Sequence, residues 1–410
     1  MKSLVALVSL ALLGCAAIWA QNAGSKVKNA DKPAGTQKPA GGDKTPASNP
    51  TINLAVAKGA RWLASVQGSD GGWGQDGGDQ SNVRQGVSLE SQGNDVANTA
   101  IAALALLRAG DQYRPNVERA VDFILRRVEA SAADGLAITD GKQTQVQRKL
   151  GPYIDTFVAS MLLAQVDGTF AKAANTRIRS GLEKCVAKIQ RNQMKDGSWN
   201  TGGGWAPLLG TSLASRSLFA AGQKGVAVNQ EVLARADDYT VKNQQDRDSL
   251  ARGGGSGVGR GGGVGAGSGG GVAPGAGPGS RGSAETVIVS AAAGVALYQD
   301  AQALEQLSRT EESRKKNAKE IAAINSKLSD SKFVDGYGSI GGEEFFSYLN
   351  ISDSLKRAGG DPWSKWHAGI TQKILGLQNS DGTWAGHHCI TGRVAMTSAA
   401  ILNLTVDRAR

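Results

Sequence analysis

Apolar residues recur every three or four positions along most of the chain, the spacing that places them on one face of an α-helix. No stretch shows the strict alternation that is typical of a half-buried strand. The pattern predicts six consecutive helical hairpins, which are Leu54–Gln67 with Asp95–Ala109, Val117–Ala132 with Ile154–Gln165, Ile178–Gln193 with Leu208–Gly222, Gln230–Asn243 with Glu285–Gln299, Thr310–Leu328 with Glu343–Ala358, and Ser364–Gln378 with Thr391–Val406.

The two helices of each predicted hairpin differ in polarity. Second helices such as Val96–Leu107 and Val394–Leu404 are small, apolar and poor in charge, whereas first helices such as Arg177–Arg191 carry a charged face. A helix that is apolar nearly all round is buried, and a helix with one polar face lies at the surface. The sequence therefore predicts an all-α fold, an (α/α)6 toroid in which six inner helices are surrounded by six outer helices.

The motif Gln-x-x-Asp-Gly-x-Trp follows three of the predicted outer helices. Its Gln, Asp and Trp are Gln67, Asp70 and Trp73 in hairpin one, Gln193, Asp196 and Trp199 in hairpin three, and Gln378, Asp381 and Trp384 in hairpin six. Asp-Gly supplies a turn residue and then a residue that is free to adopt positive φ where a helix stops. We expect the Trp ring to fold back on the helix end and meet the Gln, so the three copies indicate a repeat protein that is braced at these turns.

This motif, placed after an outer helix, resembles the repeat of squalene cyclases and of protein prenyltransferase β-subunits, over roughly Ile52–Val406. The resemblance implies the same α/α toroid and a structural role for the motif residues. It also implies an Asp-x-Asp-Asp acid if the chain were a class II terpene cyclase. The chain offers Asp237-Asp238 instead, on a predicted outer helix, and its aromatic content of 5% leaves few rings to guide a carbocation.

Prenyltransferase β-subunits, in turn, bind zinc with Asp-x-Cys at the start of an inner helix and with a later His. In this chain His387 stands where the resemblance places the Asp, Cys389 matches the Cys, and no His follows. The zinc set implied by the resemblance is therefore incomplete.

The starts of the predicted inner helices are the candidate positions for chemistry, because their free N–H groups and positive dipole ends favour anions and thiolates. The polar and aromatic residues at these starts are Asn94, Asp95, Tyr153, Asp155, Trp205, Glu285, Glu343, Glu344, His387, His388 and Cys389. If the last inner helix already includes Cys389, Arg393 lies four residues later on the same helix face.

His387, His388 and Cys389 form the densest cluster of metal-ligating side chains, since zinc accepts His nitrogen, Cys thiolate and carboxylate oxygen. A further ligand would come from Glu343, Glu344 or Asp155. Two alternatives stay open: Cys389 is a reactive thiolate favoured by a helix start and by Arg393, or it is a small buried residue beside histidines that cap the helix.

Intact turn motifs beside incomplete catalytic motifs favour a binding or scaffold module that takes a hydrophobic or extended ligand in its central cavity or mouth. The first alternative is a zinc- or thiolate-dependent enzyme. In that enzyme Cys389, Arg393 and Glu344 are the catalytic residues, and the metal ligands are His387, His388, Cys389 and Glu343. The second alternative is an envelope-tethered lipoprotein.

Three segments are expected to lie outside the helices of the toroid domain, residues 52–410. Residues 1–20 are typical of a signal peptide, with Lys2 before the apolar run Leu4–Leu13, so we expect an exported protein. Cleavage after Ala20 competes with a lipobox-like start that would leave a lipid anchor on Cys15. Residues 21–51 and the Gly-rich insertion 252–283 have too few large apolar side chains to offset their ordering entropy, which predicts disorder.

The formal net charge of +10 raises the question of nucleic acid, but part of that excess lies in the predicted tether. Asn22–Pro50 alone holds five lysines and two aspartates. Without clustered basic residues and interleaved aromatics in the predicted helices, the sequence argues against nucleic-acid binding. After the signal segment, no stretch has the roughly 18 uninterrupted apolar residues of a membrane-spanning helix.

Overall fold

The computed structural model describes residues 49–76, 93–140, 145–199, 207–253, 296–336, 341–387 and 390–408. This part of the chain contains fifteen α-helices: α1 (Pro50–Ser65), α2 (Val96–Ala109), α3 (Arg114–Ala130), α4 (Gln145–Leu150), α5 (Ile154–Val166), α6 (Lys172–Arg191), α7 (Pro207–Gln223), α8 (Gln230–Gly253), α9 (296–307 within the described residues), α10 (Glu311–Lys316), α11 (Ala318–Lys327), α12 (Ser331–Val334), α13 (Gly342–Ala358), α14 (Gly360–Gly376) and α15 (Arg393–Leu404).

Six of these helices form an inner ring. Helix α2 packs against α5 and α15, α5 packs against α7, and α13 packs against α15. Helix α9 lies between α7 and α13. Just after α9, Arg309 donates to the Ser215 hydroxyl of α7 at 2.8 Å. The backbone carbonyl of Glu305 in α9 accepts a hydrogen bond from Arg357 of α13 at 3.2 Å. The outer ring consists of α1, α3, α6, α8, the α10–α12 segment and α14, so the predicted (α/α)6 toroid is confirmed.

The two rings differ as their sequences predict. Eleven of the thirteen residues of α5 are buried, and every residue of α15 after Arg393 is buried. Outer helices such as α3 and α6 bury one stripe and expose the charged remainder. Within the described residues the backbone pairs in β fashion only at the single bridge Trp73–Asp95, and no described helix is long and apolar enough to cross a membrane.

Several predicted helix boundaries are wrong. Helix α9 continues to residue 307, past the predicted end at Gln299, because Ala301, Leu304 and Leu307 extend its buried face. Helix α8 continues to Gly253 rather than stopping at Asn243, so it includes the first two residues of the predicted insertion 252–283. The rest of that insertion lies outside the described residues.

The predicted outer helix Thr310–Leu328 is divided into α10 and α11. Asn317 separates them: it is buried, and its side chain donates to the Ser313 carbonyl at 2.9 Å, a bond that ends the first short helix. Helix α4 was not predicted from the pattern. At the start of the domain, Asn49 caps α1 by accepting from Thr51 N–H at 3.0 Å, so the helix begins at Pro50, four residues before the predicted helix start at Leu54.

Candidate functional site

The three Trp residues of the Gln-x-x-Asp-Gly-x-Trp motifs are buried to the same depth and make the same contacts. Each indole N–H donates to the carbonyl ten residues earlier, in the preceding outer helix, at 2.8 Å (Trp73 to Leu63), 2.7 Å (Trp199 to Ile189) and 2.8 Å (Trp384 to Ile374). Each Trp backbone N–H donates to a threonine hydroxyl of the following inner helix: Thr99, Thr211 and Thr397. The Trp therefore joins the two helices of its own hairpin.

The motif Gln joins neighbouring hairpins. Its side-chain amide donates to the motif glycine carbonyl and also to a carbonyl near the start of the next outer helix. The second acceptors are Asn116 for Gln67 at 2.9 Å, Val232 for Gln193 at 2.8 Å and Ala55 for Gln378 at 2.9 Å. Because Ala55 belongs to α1, the last motif connects the last hairpin to the first and closes the ring.

The motif Asp fixes the turn itself. Asp70, Asp196 and Asp381 each accept from the backbone N–H two residues later, at 2.9 to 3.0 Å. The glycine after each Asp has a φ of about +90°, which favours glycine over all other residues. All nine motif residues thus lie at or just after the ends of outer helices.

Only part of the predicted metal cluster lies in the described residues. His387 is exposed, whereas His388 and Cys389 lie outside the described part of the chain. Glu343 is close to this segment, since its carboxylate accepts from the Ile390 N–H at 3.4 Å. Glu344 accepts from the Gly341 N–H at 2.9 Å, which caps the start of α13.

The described residues do not fit a zinc site, because no group of three His, Cys, Asp or Glu side chains among them is arranged to hold a metal. For His388 and Cys389 zinc binding stays a prediction. The condition under which Cys389 and Arg393 would share a helix face, a last inner helix that already includes Cys389, is not met. Helix α15 begins at Arg393, after the non-helical N-cap Gly392.

Arg393 is engaged elsewhere. Its guanidinium lies 5.1 Å from the centroid of the Trp62 ring and 3.6 Å from carboxylate oxygens of Asp76 and Asp381. These contacts place it against α1 and the last motif turn, which makes it a structural link between the first and last hairpins.

Two of the candidates at inner-helix starts, Asp95 and Asp155, are brought together. Asp95 caps α2 and accepts from the backbone and side chain of Asn98 at 2.8 and 2.7 Å. Asp155, in the first turn of α5, accepts from Thr139 at 2.8 Å and from Gln147 at 2.8 and 2.9 Å. Both carboxyls also accept from the backbone N–H of Ala97, so they converge on the first turn of α2.

The two carboxyls line a cavity of about 840 Å³ at the mouth of the ring. The opposite wall is the loop 130–140, which holds its shape because buried Lys188 donates to the carbonyls of Gly135 at 3.0 Å and Ala137 at 3.1 Å. The remaining polar lining groups are Asn94, Arg127, Ser131, Asp134, Thr139, Asp140, Gln147 and Tyr153. We call this the mouth cavity.

Protonation in the mouth cavity departs from solution behaviour. Burial, and then the nearby Asp155 carboxyl, raise the pKa of Asp95 to about 7. Burial also raises the pKa of Asp155, although hydrogen bonds from Gln147 and Thr139 oppose the rise. Two carboxyls that share one N–H group resist double ionisation, so the pair holds a proton near neutral pH.

A second cavity of about 190 Å³ lies at the centre of the ring, and we call it the chamber. All six inner helices contribute to its wall, together with Leu150 at the end of α4. The apolar lining residues are Ile101, Leu104, Leu150, Ile154, Val158, Met161, Leu213, Ala220, Tyr298, Phe346, Leu349 and Leu402. The polar lining residues are Arg108, Gln165, Arg216, Gln302 and Asn350.

The sequence predicted Asp95 and Asp155 as candidates, because both are polar residues at the start of an inner helix. It missed Arg108, near the C-terminal end of α2, and Arg216, in the middle of α7. Their signal was a charged residue inside an otherwise apolar helix.

Comparison with known proteins agrees with this architecture. The family model of the squalene-hopene cyclase C-terminal domain matches residues 44–138. The squalene–hopene cyclase of Bradyrhizobium diazoefficiens is 39% identical over 70 residues, which cover 17% of this chain and 10% of that protein. The chain thus aligns with about a tenth of the length of this relative. The two matches, together with the ring of helical hairpins, support a relationship to the prenyltransferase and squalene-cyclase repeat superfamily.

Proposed function

We propose that this protein is an exported binding module with a squalene-cyclase-like fold, which takes a hydrophobic ligand into the chamber. The observation that carries the proposal is the apolar wall that all six inner helices supply at the ring axis. Engineered apolar cavities of about 150 Å³ stay dry and bind benzene, so a chamber of about 190 Å³ suits an apolar group of about that size or slightly larger.

Titration with hexan-1-ol, followed by ligand-observed NMR, tests this proposal. Burying about six carbons favours binding by about 5 kcal/mol, so we expect a Kd on the order of 1 mM or below. Met161→Trp places a larger side chain in the chamber and should abolish binding. Met194→Trp is the matched control, because Met194 lies at the surface with 39% exposure. Equal binding by both variants would contradict the proposal.

Export is supported by the sequence of residues 1–20. Mass spectrometry of the mature protein separates the two forms: a free N-terminus at Gln21 means release, and a lipidated Cys15 means attachment to the envelope. A mature chain that still begins at Met1 would contradict export.

The mouth cavity favours a second candidate function, acid–base catalysis by Asp95 and Asp155. A general acid works best when its pKa is near the working pH, and the pKa of Asp95 is about 7. Carboxyl-labelled NMR would show one aspartate titrating near neutrality. In Asp155→Asn this pKa should fall, because the neighbouring negative charge is gone. A titration unaffected by Asp155→Asn would remove the basis of this candidate.

A further inference from the structure

The chamber has a charged end. Arg108, near the C-terminal end of α2, and Arg216, in the middle of α7, both line it. Arginine is rarely placed beside an apolar cavity without an anionic partner, because withdrawing the charge from water is costly. Whether this end of the chamber lacks an anion therefore depends on the partners of each guanidinium.

Arg216 has its partners within the protein. It pairs with Asp353 and donates to the Asn350 side chain at 2.7 Å. Burial alone lowers the pKa of Arg216, and the carboxylates of Glu305 and Asp353 more than offset that effect.

Arg108 is different. Among the described residues, its guanidinium donates one hydrogen bond, to the Leu402 carbonyl at 3.3 Å. A guanidinium has five N–H donors, so most of its capacity is unused. Burial lowers the pKa of Arg108, and the repulsion of Arg216 adds to this while Asp353 opposes it. An added anion would relieve both the missing bonds and the repulsion.

Asp353 is the carboxylate that acts on Arg108, and it is shared with Arg216. Arg309 and Arg357 lie at the same end of the inner ring and share the carboxylate of Glu305, which has a pKa of about 2 because the surrounding arginines overcome its burial. With Arg108 and Arg216, this described cluster has four guanidinium groups for the two carboxylates of Glu305 and Asp353. It therefore has an excess of positive charge.

We propose that the chamber binds an amphipathic anion, a short-chain carboxylate whose head pairs with Arg108 beside Arg216 and whose apolar chain lies along Met161 and Leu349. The inference rests on the proposed binding function and names the ligand class. A carboxylate fits because the planar guanidinium fork pairs with it through two parallel hydrogen bonds. The volume of about 190 Å³ suits a chain of about six carbons.

The test compares four probes with one six-carbon chain, hexanoate, hexan-1-ol, hexylamine and hexyl phosphate, on the full mature chain. We expect hexanoate to bind about tenfold more tightly than hexan-1-ol, the size of effect that a charged hydrogen bond contributes, and hexylamine to bind more weakly than the alcohol. Equal affinity for hexanoate and hexan-1-ol would overturn the carboxylate assignment and leave the apolar chamber intact. Tighter binding of hexyl phosphate would replace the carboxylate by a phosphate head. Failure of all four probes would overturn both the inference and the proposed function.

The variant Arg108→Gln tests whether Arg108 binds the carboxylate head group. The variant keeps a neutral donor and should lose about tenfold in hexanoate affinity while its affinity for hexan-1-ol stays within about twofold. Arg61→Gln is the matched control, since Arg61 is an exposed residue of the outer helix α1, and it should bind both probes as the unaltered protein does. An unchanged hexanoate affinity in Arg108→Gln, with the helical circular dichroism spectrum retained, would overturn the proposal.

Discussion

Each motif tryptophan combines a large buried ring with a satisfied polar hydrogen. Trp73, Trp199 and Trp384 are at most 2% exposed, and each indole N–H reaches a carbonyl at 2.7 to 2.8 Å. A buried indole without that acceptor would lose much of its packing energy to desolvation of the N–H group. The position of the carbonyl at the end of the preceding helix is therefore as important as the ring.

Replacing one of these rings tests that role. We expect Trp384→Ala to lower the free energy of unfolding by about 3 to 5 kcal/mol, because a large cavity is left in the core. Trp363→Ala, on the partly exposed face of α14, should cost about 1 kcal/mol. Urea denaturation of both variants measures the difference, and similar small losses would contradict a bracing role.

Asp95 makes stability depend on pH. Its pKa rises from the ordinary 3.8 to about 7 on folding, so its stabilising effect is complete below about pH 4 and is lost as the pH rises through 7. For a fully buried group this difference in pKa corresponds to about 4 kcal/mol in the free energy of unfolding. Because Asp95 is partly accessible from the mouth cavity, we expect about half of that value. Asp95→Asn keeps an N-cap and removes the titration.

The variant should therefore be more stable than the unaltered protein at pH 8, and its stability should fall less between pH 4 and pH 7. Thermal unfolding at several pH values measures this, with Asp111→Asn, on an exposed 3₁₀ turn, as the control. A parallel pH dependence in Asp95→Asn and the unaltered protein would show that Asp95 does not titrate as described.

At the scale of the helical elements, the motif turn requires glycine for two separate reasons. Gly382 has a φ of +88°, and a Cβ atom there would lie 2.8 Å from the Cβ of Lys58 on α1. Gly71 and Gly197 meet backbone carbonyls of the next outer helix still more closely. The turn thus lets one outer helix end against the side of the next.

Gly382→Ala should therefore lower the free energy of unfolding by about 2 kcal/mol or more, because it strains the backbone and displaces α1. Gly376→Ala is a matched substitution only six residues earlier, in the last turn of α14. A Cβ atom there meets nothing within 4 Å, so we expect Gly376→Ala to raise the free energy of unfolding by about 0.5 to 1 kcal/mol. Thermal unfolding separates the two, and a loss in both variants would contradict the close-packing argument.

The elements also show what sequence can and cannot predict. Hairpin order and the inner or outer position of each helix follow from local periodicity and polarity, as in α5 and α15. Helix ends depend on tertiary contacts: the side chain of Asn317 divides α10 from α11, and the core extends α9 to residue 307. Likewise, the rule that inner-helix starts hold polar groups found Asp95 and Asp155, but no local signal brings Arg108 and Arg216 to one chamber.

At the scale of the whole molecule, ring closure depends on contacts across most of the chain length. Gln378 donates to the Ala55 carbonyl, and Arg108 of α2 donates to Leu402 of α15.

Gln378→Met should lower the free energy of unfolding by about 1 to 3 kcal/mol, because two carbonyl acceptors lose their donor. Hydrogen exchange should accelerate first in α1. Gln372→Met, at an exposed site of α14, is the control. Unchanged exchange in α1 would contradict closure through this residue.

The central claim is that the ring encloses a chamber for an apolar ligand. A crystal structure determined under xenon pressure tests it most directly, because xenon enters dry apolar cavities of this size. We expect a xenon atom between Met161 and Leu349 in the unaltered protein and none in Met161→Trp. A chamber filled with ordered water and without xenon would contradict it.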